Sequence, residues 1–156
     1  MPNHLHLPPS TLLAVQQRFN HLSVEARDVL SFAAVLGRRF EFTLLQHLTG
    51  RNEVDLVRLL KELIAAQLLV EESEDVLAFR HALTRQAAYT DLLARERRSL
   101  HHAVAQTMER LYANELDSHQ GDLAYHFYMA RQWTKVLEYA QRAGEKARAL
   151  YAPRAA

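Results

Sequence analysis

The chain has 156 residues, and 49% of them are hydrophobic, which is enough to bury the core of one domain or of two small ones. Its 19 Lys and Arg residues nearly balance 18 Asp and Glu residues, so no overall charge attracts it to nucleic acid or to anionic lipid. It contains no cysteine, which excludes disulfides and thiolate metal sites and is typical of a reducing compartment. The first ten residues resemble neither a signal peptide nor a membrane span. We therefore expect a cytoplasmic protein without membrane contact.

The N-terminal part of the chain predicts short capped helices. Residues 1–9 are expected to be a flexible tail or linker, and several polar residues are suited to cap the helices that follow: Ser10, Ser23, Thr43 and Asn52. Gly37 and Gly50 are suited to end two of these helices. The helix after Asn52 has the clearest pattern, because leucines recur along it at spacings of three and four. The stretch RRFEF (38–42) is too short to assign.

The period then changes from helical to strand-like. The runs QLLVEES (67–73) and VLAFRH (76–81) are rich in Val, Leu and Phe, and acidic, turn-forming residues separate them. They predict a two-stranded hairpin, which must lie on the preceding helices to be stable. A buried helix is expected to follow it. Three helices and a hairpin predict a winged-helix domain, which together with a leading helix and the helix after the hairpin covers residues 10–94.

Residues 95–156 predict a helical region of the tetratricopeptide type. A long helix over about 96–113 precedes LAYHFYMARQWTKVLEYAQRAGEKARAL (123–150), which predicts a helical hairpin with Trp133 at its elbow. Leu123, Ala124 and Phe127 fit the repeat pattern, whereas Val136 departs from it. Only one copy is found, and about three are usual for stability. Either the chain is truncated from a longer one, or residues 95–150 use the winged helix as their cap.

Two groups of residues in this region are candidates for binding a partner. The arginines Arg95, Arg97 and Arg98 form a basic run that is interpreted first as a solvated helix start. The alternatives are an anion site, bonds to the carbonyls of the preceding helix, or contact with an acidic partner surface. Most of the aromatic residues are expected in the core, although an unstacked repeat leaves part of their surface bare. Those expected mostly in the core are Tyr125, Phe127, Tyr128 and Trp133. Of these, Tyr125, Tyr128 and Trp133 are the candidates for the part of the surface left bare.

Three strings together resemble a known family. LSFAAVLGRRFEFTLL (30–45), FRHALTRQAAYTDLLARERRSLH (79–101) and LAYHFYMARQWTKVLEYAQRAGEKA (123–147) look like the region after the ATPase core in bacterial STAND proteins, the signal transduction ATPases with numerous domains. These include large LuxR-type transcription regulators and ATPases associated with adenylate cyclases. The resemblance covers roughly residues 8 to 152. It implies a regulatory segment that couples the nucleotide state of an ATPase domain to the binding of a protein or small-molecule effector on the repeats.

His81 has two interpretations from its position at the end of the hairpin. Its ring can cap or pack the junction between strand and helix, or it can point outward at an anion. The resemblance implies the second role, because in that family a winged-helix histidine contacts the phosphates of bound ADP and holds the resting state. His81 is the matching residue, with Arg80 beside it. Ala82 stands where the Met-His-Asp version of the motif has an acid, so any orienting role of that acid is missing.

Other activities are disfavoured by the sequence. It contains no G-x-x-x-x-G-K-[ST] stretch, so we expect no ATP hydrolysis, no bound cofactor and no catalytic residue in this chain, and ADP or ATP belongs to a P-loop ATPase domain. The nine histidines lack the H-E-x-x-H spacing of zinc sites. A DNA-binding winged helix is the alternative function, but its recognition helix offers only Arg58 and Lys61 as cations and the hairpin turn is acidic. Self-association through an open repeat face is a further expectation.

Overall fold

The computed structural model describes residues 9–151, most of which are helical. The chain divides into an N-terminal unit of residues 1–93 and a C-terminal unit of residues 94–156, whereas the predicted boundary lies between residues 94 and 95. The N-terminal unit contains α1 (Pro9–Asn20), α2 (Val24–Leu36), β1 (Arg39–Glu41), α3 (Phe42–Thr49), α4 (Glu53–Ala65), β2 (Leu69–Glu71), β3 (Val76–Phe79) and α5 (Ala82–Asp91). The C-terminal unit contains α6 (Ala94–Leu111), a 3-10 turn (Leu116–Ser118), α7 (Gln120–Met129) and α8 (Trp133–Tyr151). Apart from Pro9, the predicted tail lies outside the described residues.

Local capping chemistry sets three of the predicted helix ends. The Ser23 hydroxyl accepts a hydrogen bond from the Ala26 N–H at 3.1 Å, and the Asn52 side chain accepts one from the Asp55 N–H at 2.8 Å. Both bonds satisfy donors that have no partner inside the helix. Gly50 ends α3 in the left-handed conformation, with φ of 68°. These three predictions are confirmed.

Two predicted helix starts are wrong. Helix α1 begins at Pro9, so Ser10 lies inside the first turn instead of preceding it. Helix α3 begins at Phe42, so Thr43 is its second residue and not its cap. The cause in α3 is the strand directly before it: β1 runs into the helix without a loop, and its last residue, Glu41, becomes the N-cap.

The sheet has three antiparallel strands in the order β1-β3-β2. The predicted hairpin of β2 and β3 is present, and Val70 lies opposite Ala78 in its register. The unassigned stretch around residue 40 supplies the third strand, in which Phe40 lies opposite Leu77. The Phe40 ring is buried and packs edge-on against Phe79, with 6.3 Å between ring centroids. This contact gives the three-residue strand an anchor in the core.

The core of the N-terminal unit lies between the sheet and helices α2, α3, α4 and α5. The leucine stripe of α4 is buried as predicted, and each fully buried Leu contributes about 1.5–3 kcal/mol. The sequence predicts that helix α5 is largely buried, but the structure buries only one face of this helix. Its buried residues are Thr84, Ala87 and Ala88. The Nε of Arg85 donates to the Ala34 carbonyl at 2.9 Å and ties α5 to α2.

The C-terminal unit is built from α6, α7 and α8, and α7 packs against both of the others. Its buried apolar side chains are Val104, Ala105, Met108, Leu123, Phe127, Ala130 and Tyr139. Glu109 accepts hydrogen bonds from the Lys135 ammonium at 2.9 Å and from the Tyr139 hydroxyl at 2.7 Å. Burial and this carboxylate raise the pKa of Tyr139 above its usual range. Within residues 9–151, no helix combines the length and hydropathy of a bilayer-spanning segment.

Candidate functional site

The end of β3 fixes the position of the predicted nucleotide-sensing residues. β3 is the central strand, and its backbone is bonded on both sides at this end. The Phe79 N–H donates to the Arg38 carbonyl at 2.8 Å, and the Arg80 N–H donates to the Leu68 carbonyl at 3.0 Å. Because the strand is held from both sides, His81 leaves the sheet at a defined place.

His81 is the N-cap residue of α5 through its backbone, and its side chain is exposed to solvent. The residue is extended, with φ of −135° and ψ of 140°, and its carbonyl accepts from the N–H groups of Thr84 at 3.1 Å and Arg85 at 3.4 Å. Its imidazole makes no capping hydrogen bond to the helix, and the residue is exposed. The Arg80 side chain is exposed as well. The ring therefore does not act as the cap of α5, which was one of its two interpretations.

The exposed side chains of Arg80 and His81 are suited to contact an anion. An exposed imidazole can donate to a phosphate oxygen, and such charge-assisted bonds are stronger than neutral ones. The residue that follows, Ala82, offers no carboxylate to orient the ring. Contact between His81 and a nucleotide stays a prediction.

The three arginines of the basic run differ in their surroundings. Arg95 is exposed at the start of α6, and Arg97 is half-buried. The Nε of Arg98 donates to the carbonyl of Ala130 at 3.3 Å. Ala130 is the C-cap residue of α7. Arg98 thus caps the end of a later helix of its own unit, whereas the sequence predicted a bond to the preceding helix.

The aromatic candidates lie on α7 and at the start of α8. Tyr125 and Tyr128 have exposures of 48% and 57%, and Trp133 of 55%, so assigning them to the core is wrong. Phe127 is buried as expected. The Tyr128 and Trp133 rings meet edge to face, with 5.6 Å between their centroids. A patch of half-exposed aromatic rings is typical of surfaces that contact proteins or ligands.

The structure contains a buried pair of histidines that the sequence pattern does not predict. His101 of α6 and His126 of α7 are almost completely buried, and their Nδ1 atoms are 2.9 Å apart. At this distance one ring donates and the other accepts, so the accepting ring is neutral. Each histidine occupies a position of an apolar helical stripe, beside Val104 in one helix and beside Leu123 in the other. That placement was the signal that both rings face inward.

Sequence spacing alone groups these histidines otherwise, as His101 with His102 and as His119 with His126. In the structure His119 stacks on Tyr112 instead, with 3.9 Å between ring centroids. Among residues 9–151, no three His, Asp or Glu side chains come together as metal ligands do.

Comparison with known proteins adds no assignment. No family model matches the chain, and no curated protein or solved structure is significantly similar to it.

Proposed function

We propose that the chain is a non-catalytic regulatory and protein-interaction segment of a STAND-type ATPase, built from a winged helix and the start of a tetratricopeptide-like array. The order α2–β1–α3–α4–β2–β3, with β3 between β1 and β2, supports the winged helix. The antiparallel pair α7 and α8 supports a repeat unit. In this proposal the segment couples the nucleotide state of the ATPase domain to effector binding on the repeats.

The main support for the proposal is the exposed residue His81, which lies two residues beyond a strand that is hydrogen-bonded on both sides. A sensor for a ligand held by another domain needs a donor that its own fold does not use. It also needs a backbone that moves as one body with the domain. His81 meets both needs, because its backbone is bonded into α5 while its ring makes no cap bond. ADP or ATP is bound by a P-loop ATPase domain, in the same or a separate cytoplasmic chain.

The effector, a protein or a small molecule, contacts the C-terminal unit in this proposal. Tyr125, Tyr128 and Trp133 supply half-exposed aromatic surface, and the exposed guanidinium of Arg95 supplies charge. Aromatic and arginine side chains are the residues enriched where protein interfaces bind tightly. No residue is assigned a catalytic role.

The alternative, a DNA-binding winged helix, is disfavoured by the charges of α4. Arg58 forms ion pairs with Asp55 at 2.7 Å and Glu25 at 2.9 Å, and Lys61 is the cation of this helix that has no such partner among the described residues. Phosphate contacts dominate DNA affinity and need clustered cations. A mobility-shift assay with random duplex at low salt separates the two functions, since salt-sensitive binding supports DNA recognition and its absence supports the regulatory role.

The test of the sensor role is the release of a fluorescent ADP analogue from the complete protein that carries the ATPase domain. If the ATPase is a separate chain, the co-purified complex is used. Substitution His81→Ala removes a hydrogen bond to a charged phosphate, so release accelerates by about tenfold to a hundredfold. His21→Ala is the matched control, because His21 is also an exposed histidine of the N-terminal unit.

Two results contradict the proposal. Equal release rates for wild type, His81→Ala and His21→Ala remove the sensor role. A micromolar ADP or ATP site found by calorimetry in this chain alone means that the nucleotide does not depend on another domain.

A further inference from the structure

Helix α4 has a second apolar stripe besides the one it buries. Val54, Val57 and Ile64 follow one another at spacings of three and seven residues, so they lie on one side of the helix. Val54 is 82% exposed, and Val57 and Ile64 are only half-buried. This stripe borders the core leucines, and Ile64 packs against the core, but Val54 and part of Val57 remain in contact with water.

The outward side of α4 forms one wall of a groove of about 300 Å³, which we call the acidic groove. The turn between β2 and β3 forms the opposite wall. The floor is apolar and consists of Phe42, Val57, Leu60, Ile64 and Leu77. A floor of this kind favours an apolar side chain in the groove.

The walls of the acidic groove are strongly negative. Four carboxylates and one ammonium line it, which leaves a net charge of −3 at neutral pH (one minus four), and the charged residues are Glu53, Lys61, Glu71, Glu74 and Asp75. Among the described residues, none of these four carboxylates makes an ion pair. By contrast, the neighbouring acids Glu25 and Asp55 are bonded to arginines.

The turn that carries the negative wall is held in place by the fold. The Phe42 N–H donates to the Asp75 carbonyl at 2.9 Å, and the Val76 N–H donates to the Ser73 hydroxyl at 3.1 Å. A wall fixed before binding loses little conformational entropy when a ligand arrives.

We propose that the acidic groove docks a basic amphipathic segment of a partner protein. Its apolar residues contact the floor, and its Lys or Arg residues pair with Glu71, Glu74 and Asp75. Complementary charge selects this occupant over nucleic acid, whose phosphates the same carboxylates repel. The apolar floor selects it over a small polyamine, which has no apolar side chain to bury. The inference is independent of His81 and goes beyond the proposed function.

The test uses a short fluorescein-labelled peptide that alternates leucine with lysine, followed by fluorescence anisotropy. We expect saturable binding that weakens with salt, because exposed charge pairs are screened. The variant Glu71→Gln, Glu74→Gln, Asp75→Asn weakens binding by about tenfold. Lys61→Glu adds a carboxylate to the wall and tightens binding.

Matched controls separate the groove from general charge attraction. The variant Asp28→Asn, Glu115→Gln, Glu145→Gln has the same charge change at exposed positions outside the groove and keeps wild-type affinity. Circular dichroism checks that both triple variants remain folded.

Four outcomes overturn the proposal: no binding of the peptide, equal weakening by both triple variants, equal affinity for a peptide with serine in place of leucine, or displacement of the peptide by duplex DNA. A weaker complex with Val57→Gln, together with the expected response to both triple variants, supports it.

Discussion

The buried pair of His101 and His126 makes a double-mutant cycle the sharpest stability prediction for the C-terminal unit. Replacing one histidine by leucine takes away the Nδ1 partner of the other, and a buried polar atom that loses its partner costs about 1–3 kcal/mol. Replacing both removes the polar pair altogether, and two apolar side chains of similar size come close to neutral. The decreases in the free energy of unfolding caused by the two single substitutions therefore sum to more than the decrease caused by the double substitution.

We expect a coupling free energy of about 1–3 kcal/mol between the two positions. Urea unfolding followed by tryptophan fluorescence measures it, because Trp133 is the one tryptophan of the chain and lies in the C-terminal unit. His102→Leu, a half-buried histidine on the same helix, is the control and costs little. Additive effects of His101→Leu and His126→Leu refute the reasoning, because they mean that the two rings do not depend on each other.

Three further predictions concern the ends and interiors of the helices. The backbone N–H and the hydroxyl of Ser23 lower the pKa of Glu62, so this carboxylate stabilises the fold above the ordinary glutamate value of 4.5 and loses that effect as pH falls through the lowered pKa. In urea titrations the difference in the free energy of unfolding between wild type and Glu62→Gln should shrink as pH falls through that acid range. A difference that stays constant with pH argues against the linkage. Gly50→Ala should cost about 1–2 kcal/mol by chemical denaturation, because φ is 68° and only backbone strain opposes the new methyl group. Gly144→Ala should stabilise by about 1 kcal/mol, since α8 is helical there and nothing lies within 4 Å of the added atom; an unchanged midpoint contradicts this.

The parts of the fold that could be predicted from sequence depend on neighbours along the chain. The caps at Ser23 and Asn52 and the stop at Gly50 follow from side-chain or backbone chemistry within a few residues. The leucine stripe of α4 is likewise a local pattern. Such features need no knowledge of the tertiary structure.

The parts that were missed depend on residues far apart in sequence. Strand β1 has three residues and exists because β3, more than thirty positions later, pairs with it and buries Phe40. A single buried residue in three gives no readable period. Similarly, the pairing of His101 with His126 requires α6 and α7 to be packed together, which spacing within one helix cannot reveal.

The candidate site was predictable in position but not in exposure. The histidine at the end of the hairpin was identified from the change in period, whereas only the structure shows its ring exposed and without a cap bond. The exposure of Tyr125, Tyr128 and Trp133 was not predictable either. Their aromatic character predicts burial in the core, whereas the structure leaves about half of each side chain exposed. Their exposure follows from the packing of α7 and α8, in which Phe127 and Tyr139 take the buried positions.

The proposed sensor role requires the His81 ring to contact a phosphate held by an ATPase domain. The most direct measurement is the nitrogen chemical shift of the His81 ring in histidine-labelled complete protein, assigned by the loss of its signal in His81→Ala. Loaded with ADP, the ring should show a donor nitrogen bonded to phosphate, and this signature should disappear when ATP replaces ADP. Identical spectra of a solvent-exposed ring in the ADP, ATP and nucleotide-free states would contradict the sensor role.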